Sequence, residues 1–190
     1  MIQLPKSSFY FVRHGETDCN YNHIIMGRQD IPLNDKGVEQ AEHAGYILSS
    51  IEISKVFSSS LRRAYKTASI IANICELDLE KMDDFCERGY GSLEGKNRDS
   101  GPSLSPISDL NLPEDGEKYQ DFEKRILLGL SKVLLSEYQY PLIVSHSVVF
   151  KAFANILCDR QDLSCNNGEI FLFSPSQLQA DKWELSPLET

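Results

Sequence analysis

The sequence predicts an α/β domain on a mainly parallel sheet. Two observations carry that prediction. Short apolar runs rich in β-formers alternate with longer segments whose apolar residues recur every three or four positions. The two strongest runs, Phe9 to Val12 and Tyr140 to Ser145, are each followed by a histidine, His14 and His146. Side chains at strand ends of this kind belong at the carboxyl edge of an open sheet, where such folds bind ligands.

Taken in order, Phe9–Val12 reads as a buried strand that delivers Arg13 and His14 to its end, and Gly15 permits a sharp turn or the close approach of an anion. For the Arg-His dipeptide alone, a solvated loop is the plain alternative. Residues 27–32 have loop composition. Asn34 caps a helix through Leu48, with Val38, Ala41, Gly45 and Leu48 on one stripe. Lys55 to Ser58 reads as a brief strand. Ser58, Ser59 and Ser60 offer cap hydroxyls to a helix from Leu61 to Cys75, whose inner side carries Ala64, Ala68, Ile71 and Ile74. Leu77 to Met82 reads as a third strand. Residues 83–113 show no sustained period and read as an active-site loop or lid. Glu117 to Glu137 is a helix, Ser147 to Cys158 another, and Gly168–Phe173 and Trp183–Leu185 close the sheet.

At 190 residues the chain is most simply one domain, 1–190, able to bury roughly 70% of the surface its unfolded form exposes. A net charge of −9 argues against nucleic acid or an anionic membrane as partner. An acidic chain that handles phosphate must build a cationic pocket against its own field, so the arginine positions are informative. The first eight residues are too short and polar for a signal peptide, and no apolar run approaches ~20 residues. Five cysteines, odd in number and without a Cys-x-x-Cys pair, support neither a disulfide framework nor zinc. Free thiols and a cytoplasmic location are expected.

If both strands are central, the two histidines emerge at the same carboxyl edge of the sheet, a pairing that suits phosphoryl transfer. A neutral imidazole can attack phosphorus near neutral pH, and a second can stabilise the moving charge. Arginine supplies a permanently protonated donor for phosphate oxygens, and a leaving alkoxide needs a carboxylic acid. Arg13-His14-Gly15-Glu16-Thr17, followed by Asn20, resembles the signature of the histidine phosphatase (phosphoglycerate-mutase-like) superfamily. Ser58 to Ala68 resembles a second block, matching at Arg63 and not Arg62, and Glu87 to Gly95 a third. The resemblance spans about Phe9 to Phe173 and implies a three-layer α/β/α fold. It also implies His14 as phosphoryl-accepting nucleophile, Glu87 as acid, and His146, Arg13 and Arg63 as further catalytic groups. Arg13, Asn20, Gly27, Arg63, Arg88, Tyr90 and Ser147 are expected to contact substrate, with Glu94 as structural support. His23 and His43 receive no role. No cofactor and no metal are called for, the partner is a small phosphorylated metabolite, and the oligomeric state is left open.

Two positions depart from the family pattern. Met26 stands where many members carry Gln, and Ser147 replaces the usual Gly after the second histidine. The Tyr90 and Leu93 form of the third block looks like the mutases. The stretch between Gly95 and Gly116, however, is short and holds only Lys96 and Arg98 as cations, where mutases use a longer basic insertion. Hydrolysis is therefore expected. A bisphosphate-primed phosphoglycerate mutase is the alternative, and a phosphate-binding protein without turnover is a third reading.

Overall fold

The computed structural model describes residues 4–101, 103–179 and 181–188. Six strands, β1 (Phe9–Arg13), β2 (Val56–Ser58), β3 (Leu79–Lys81), β4 (Leu142–Ser145), β5 (Ile170–Pro175) and β6 (Trp183–Pro187), form one sheet in the order β3-β2-β4-β1-β5-β6. The first four run parallel to one another, while β5 pairs antiparallel with β1 and with β6. The helices are α1 (Asp18–Tyr21), α2 (Asp35–Leu48), α3 (Arg62–Cys75), α4 (Tyr119–Leu135) and α5 (Ser147–Cys158).

Strand alternation sorts the core into two faces. Phe9 and Phe11 of β1 join Phe171 and Phe173 of β5, and with them pack Phe122 and Ile126 of α4 and Phe150 and Phe153 of α5. Tyr10 and Val12, with Leu142 and Val144, pack on the opposite face against Ala44 and Leu48 of α2 and Ala68 and Ile71 of α3. This is the three-layer α/β/α arrangement. Both β1 and β4 are covered on both faces, which is why they read as unbroken apolar runs. Each fully buried Phe here contributes on the order of 2 kcal/mol by removing its ring from water.

The registry of β1 with β4 sets up the site. Arg13 lies opposite Ser145, so the following residues, His14 and His146, leave the sheet side by side. Asn34 caps α2 as expected, accepting from the Gly37 N–H at 2.9 Å. The serines before α3 do not cap it. Leu61 is the cap residue and contributes no side-chain bond, while the Arg62 N–H donates to Asp30 Oδ1 at 2.7 Å. Ser58 Oγ donates instead to the Ser59 carbonyl, and Ser59 Oγ is turned toward His146. Residues 83–113 contain two single 3-10 turns, Asp83–Phe85 and Gly91–Leu93. No helix of the described residues is long and apolar enough to cross a membrane.

Candidate active site

A cavity of about 470 Å³ opens at the carboxyl ends of β1 and β4. Its floor is built from residues that follow these strands and from the first turns of α3 and α5. Its outer wall comes from the segment after β3, including Glu87, Tyr90, Arg98 and Leu104.

His14 is 2% exposed and lines this cavity. Its tautomer follows from its two partners. Arg63 Nε can only donate, and it lies 3.3 Å from His14 Nε2, so Nε2 holds the lone pair. Nδ1 then carries the proton and donates to the Gly15 carbonyl at 2.7 Å. Burial, followed by the nearby Arg63 and Arg13, pushes the imidazole pKa well below its usual value, so the ring stays neutral.

The backbone around His14 is fixed from three sides. The Gly15 N–H donates to Thr67 Oγ1 at 3.0 Å, and that hydroxyl donates to the Arg63 carbonyl one turn earlier in α3 at 2.8 Å. Asn167 Nδ2 donates to the His14 carbonyl at 2.8 Å. A Cβ on Gly15 would lie 2.2 Å from the Gly37 carbonyl oxygen, so the start of α2 can approach only a glycine here.

The two arginines are anchored by carbonyl oxygens. Arg13 Nη1 donates to Cys165 at 2.6 Å, and its buried Nε has no partner among the described residues. Arg63 Nη1 and Nη2 donate to Gln29 and Gly27 at 2.7 and 2.8 Å, leaving Nε toward His14. Arg63 therefore has three of its five N–H groups committed, two to main-chain carbonyls and one to His14, and does not present an open fork.

His146 is fully buried, and its ring centroid is 5.1 Å from that of His14, though it does not itself line the cavity. Its Nε2 lies 2.8 Å from Ser59 Oγ, and its Nδ1 is buried without a partner. Burial, Arg63 and His14 together hold its pKa well below the usual value. Glu87 lies against the start of α5. One carboxylate oxygen accepts from Arg88 N–H at 3.0 Å and the other from Val148 N–H at 3.2 Å. Burial outweighs these donors and the two arginines, raising its pKa. A carboxyl that holds its proton this way can serve as an acid.

Asn20, Gly27, Tyr90 and Ser147 also line the cavity. Asn20 Oδ1 accepts from Thr17 N–H at 3.2 Å and from Asn167 at 3.3 Å. Met26 lines the rim as well, with Thr17 Oγ1 3.3 Å from its sulfur. Glu94 braces the rim by accepting from the backbone of Arg28 and Tyr90, each at 2.9 Å.

Arg88 does not join this group. Its fully buried guanidinium points into its own segment, donating to the carbonyls of Glu117 (3.0 Å) and Ser108 (2.7 Å) and to Asp109 (2.5 Å). The motif position suggested a substrate contact. The irregular wall instead needs an internal cation to satisfy its carbonyls. Arg125 of α4 does the same from behind, donating to the carbonyls of Asp84, Cys86 and Glu87 and to Glu117. His23 and His43 are exposed and lie outside the cavity.

Several contributors carried no sequence assignment. Ser59 was expected only as a helix-cap hydroxyl, and Thr67 sits inside the second block with no reason to be singled out. Asn167 lies in a turn before β5, and nothing local marks it. Lys151 had one available signal, since it follows Ser147 by four residues and so shares its helix face. Among the described residues no group of three or more His, Cys, Asp or Glu could hold a metal ion.

Known proteins share this architecture and part of this sequence. A phosphatase of Bacillus subtilis, PhoE, described as uncharacterized, is 36% identical over 145 residues, covering 74% of this chain and 72% of its own. A Salmonella arizonae protein named as a probable phosphoglycerate mutase, GpmB, is 35% identical over 149 residues, covering 73% and 69%. Among solved structures, Bacillus stearothermophilus YhfR superimposes with a TM-score of 0.81 at 25% identity, covering 95% of this chain and 96% of its own. A mycobacterial glucosyl-3-phosphoglycerate phosphatase shares the fold with a TM-score of 0.80 at 22% identity, covering 94% and 97%. The model of the histidine phosphatase superfamily (branch 1) matches residues 9–184. With the sheet-edge histidines in place and that match spanning most of its length, the chain belongs to the histidine phosphatase superfamily.

Proposed function

We propose that the protein is a metal-independent phosphomonoesterase that hydrolyses a small phosphorylated metabolite through a phosphohistidine on His14. The observation that carries this reading is the His14 tautomer. Its proton is tied to the Gly15 carbonyl, and its unprotonated Nε2 accepts from Arg63 Nε in a residue that lines the cavity.

In the first step Nε2 attacks phosphorus, forming an N–P bond as the bond to the leaving oxygen breaks. Glu87 gives its proton to that oxygen, and burial is what keeps the proton available. Arg13 and Arg63 offset the phosphoryl charge. His146 Nδ1 and Arg13 Nε, both buried without partners, are the further donors assigned to phosphoryl oxygens. In the second step the Glu87 carboxylate takes a proton from water, which attacks phosphorus and breaks the N–P bond. Phosphate leaves and the enzyme is restored.

Release of p-nitrophenol from p-nitrophenyl phosphate in EDTA tests the proposal. Activity is expected in the wild-type protein, with a loss of at least about 10³-fold in His14→Ala. Full activity in that variant would overturn the role of His14. A second reading, a bisphosphate-primed phosphoglycerate mutase, is favoured by the 35% identity to the Salmonella protein of that name. Interconversion of 3- and 2-phosphoglycerate faster than phosphate release would select it. A phosphohistidine trapped after mixing with substrate, seen by mass spectrometry, would remove the reading of a binding protein without turnover.

A further inference from the structure

We infer that the cavity holds a second anion subsite, formed by Lys151 and Arg98, that selects phosphomonoesters whose leaving group carries another negative charge. The inference rests on the reading of the His14 end as the phosphoryl site and extends it toward the mouth.

The charges on the cavity wall are the first argument. Arg13, Arg63, Arg98 and Lys151 face it, against only Glu87 and Asp99, in a chain whose net charge is −9. Two of the four cations suffice for a phosphoryl group. Arg13 and Arg63 flank His14, and each is anchored by backbone carbonyls. Neither carboxylate is committed to the remaining pair. Glu87 accepts from the backbone at the start of α5, and Asp99 lies 2.9 Å from His23 Nδ1.

Lys151 and Arg98 also stand without a side-chain partner among the described residues. Among the described residues neither takes part in an ion pair or a side-chain hydrogen bond. Lys151 is nonetheless half-buried, one turn along α5 from Ser147 and on the same helix face. Lys151, Arg98 and Arg13 line the same cavity, and burial followed by the two guanidinium groups lowers the Lys151 pKa against a smaller opposing pull from Glu87. A half-buried ammonium crowded by guanidinium groups is a destabilising arrangement without an anion. A carboxylate or phosphate on the leaving group would relieve it, and its distance from the scissile phosphorus would be limited by the cavity. Arg98 is positioned by its backbone N–H, which donates to the His23 carbonyl at 2.8 Å, so the subsite joins α5 to the outer wall.

Three probes with one three-carbon chain separate the possibilities: 3-hydroxypropyl phosphate, 3-phosphooxypropanoate and propane-1,3-diol bisphosphate. Phosphate release gives kcat/KM for each. The wild-type protein should favour at least one anionic probe over the hydroxyl probe by about 10- to 100-fold, the range of a hydrogen bond to a charged group. The carboxylate and bisphosphate arms identify which anion is preferred. In Lys151→Met with Arg98→Met, the ratio should fall to within about threefold of unity. No preference in the wild type, or a preference that survives both substitutions, overturns the subsite. The same three probes titrated calorimetrically into His14→Ala separate this from the hydrolase reading. If no ester is hydrolysed but the anionic probe binds more tightly in a Lys151-dependent way, the subsite stands and the hydrolase reading fails.

Discussion

The cavity floor and its outer wall are built on opposite terms. On the floor, His14, Arg63 and His146 are at most 2% exposed; His14 Nδ1 and the two Arg63 Nη groups are tied to main-chain carbonyls, and His146 Nε2 is held by the Ser59 hydroxyl. At the rim of the wall, Arg98 and Asp99 are exposed, and the 95–98 backbone is laced to residues 23–25 by a few main-chain bonds. The comparison teaches where chemistry and selectivity separate. A phosphoryl-accepting imidazole must be held in one tautomer and one direction, which takes a sheet edge packed on both faces. The leaving group needs only charge and room, which a polar loop supplies. Substitutions on the floor should therefore change rate and stability together, and those on the rim should change preference alone.

After His14 itself, the largest effect expected is at Glu87, where floor and wall meet. Glu87→Gln keeps the acceptor for Val148 but removes the transferable proton. Hydrolysis of an alkyl phosphate should fall by about 10²- to 10⁴-fold. p-Nitrophenyl phosphate, whose phenolate leaves without a proton, should lose far less in its first step. Equal losses on both substrates in the phosphoryl-transfer step, read from the pre-steady-state burst, would remove Glu87 from the role of acid.

Arg63→Ala comes next. It strips donors from the Gly27 and Gln29 carbonyls and empties a fully buried side-chain volume. About 3 kcal/mol of stability should be lost, measurable by urea unfolding. A loss below about 1 kcal/mol would show the floor to be no better anchored than the rim.

The floor also predicts how stability responds to acid. Both histidines have folded-state pKa values below their unfolded ones, so the unfolded chain binds more protons below about pH 6.5. Their contribution is complete above that pH and is lost as pH falls toward the folded values. Glu87 acts in the opposite sense. Its raised pKa makes the folded state hold the proton longer, so its burial costs stability as pH rises above the ordinary carboxyl value. With two histidines against one carboxyl, unfolding free energy should decline from pH 7 to 5. His146→Gln should flatten that slope by up to about 1.4 kcal/mol per pH unit. An unchanged slope would mean that His146 is charged in the folded protein.

How much of this was legible in the sequence follows the same division. The strand runs at Phe9–Val12 and Tyr140–Ser145 were readable because both faces of β1 and β4 are covered, so burial overrides alternation. The caps were readable only where they are local. Asn34 reaches Gly37 three residues on, whereas the Ser59 hydroxyl is drawn across the sheet to His146, 87 positions away. A motif gives the type of Arg88 but not its direction. That direction was decided by carbonyls from residues 108 and 117, brought in by a loop without periodicity. Asn167 on the His14 carbonyl is invisible for the same reason, since its partner lies 153 positions away.

The smallest effect expected is at His23, and it tests the rim most directly. His23 holds a positive φ of 57°, and its ring lies 2.9 Å from Asp99, with both side chains more than 60% exposed. An exposed pair of this kind contributes about 0.2–1 kcal/mol, because water competes for both partners and salt screens them. His23→Ala should therefore lower the unfolding free energy by less than about 1 kcal/mol, with the difference shrinking in high salt. The main-chain bonds from Ile25 and Gly95 that lace the rim do not depend on this side chain. A loss above about 2 kcal/mol would mean that the pair organises the whole wall. The rim would then be as rigid as the floor, and the separation of rate from selectivity would fail.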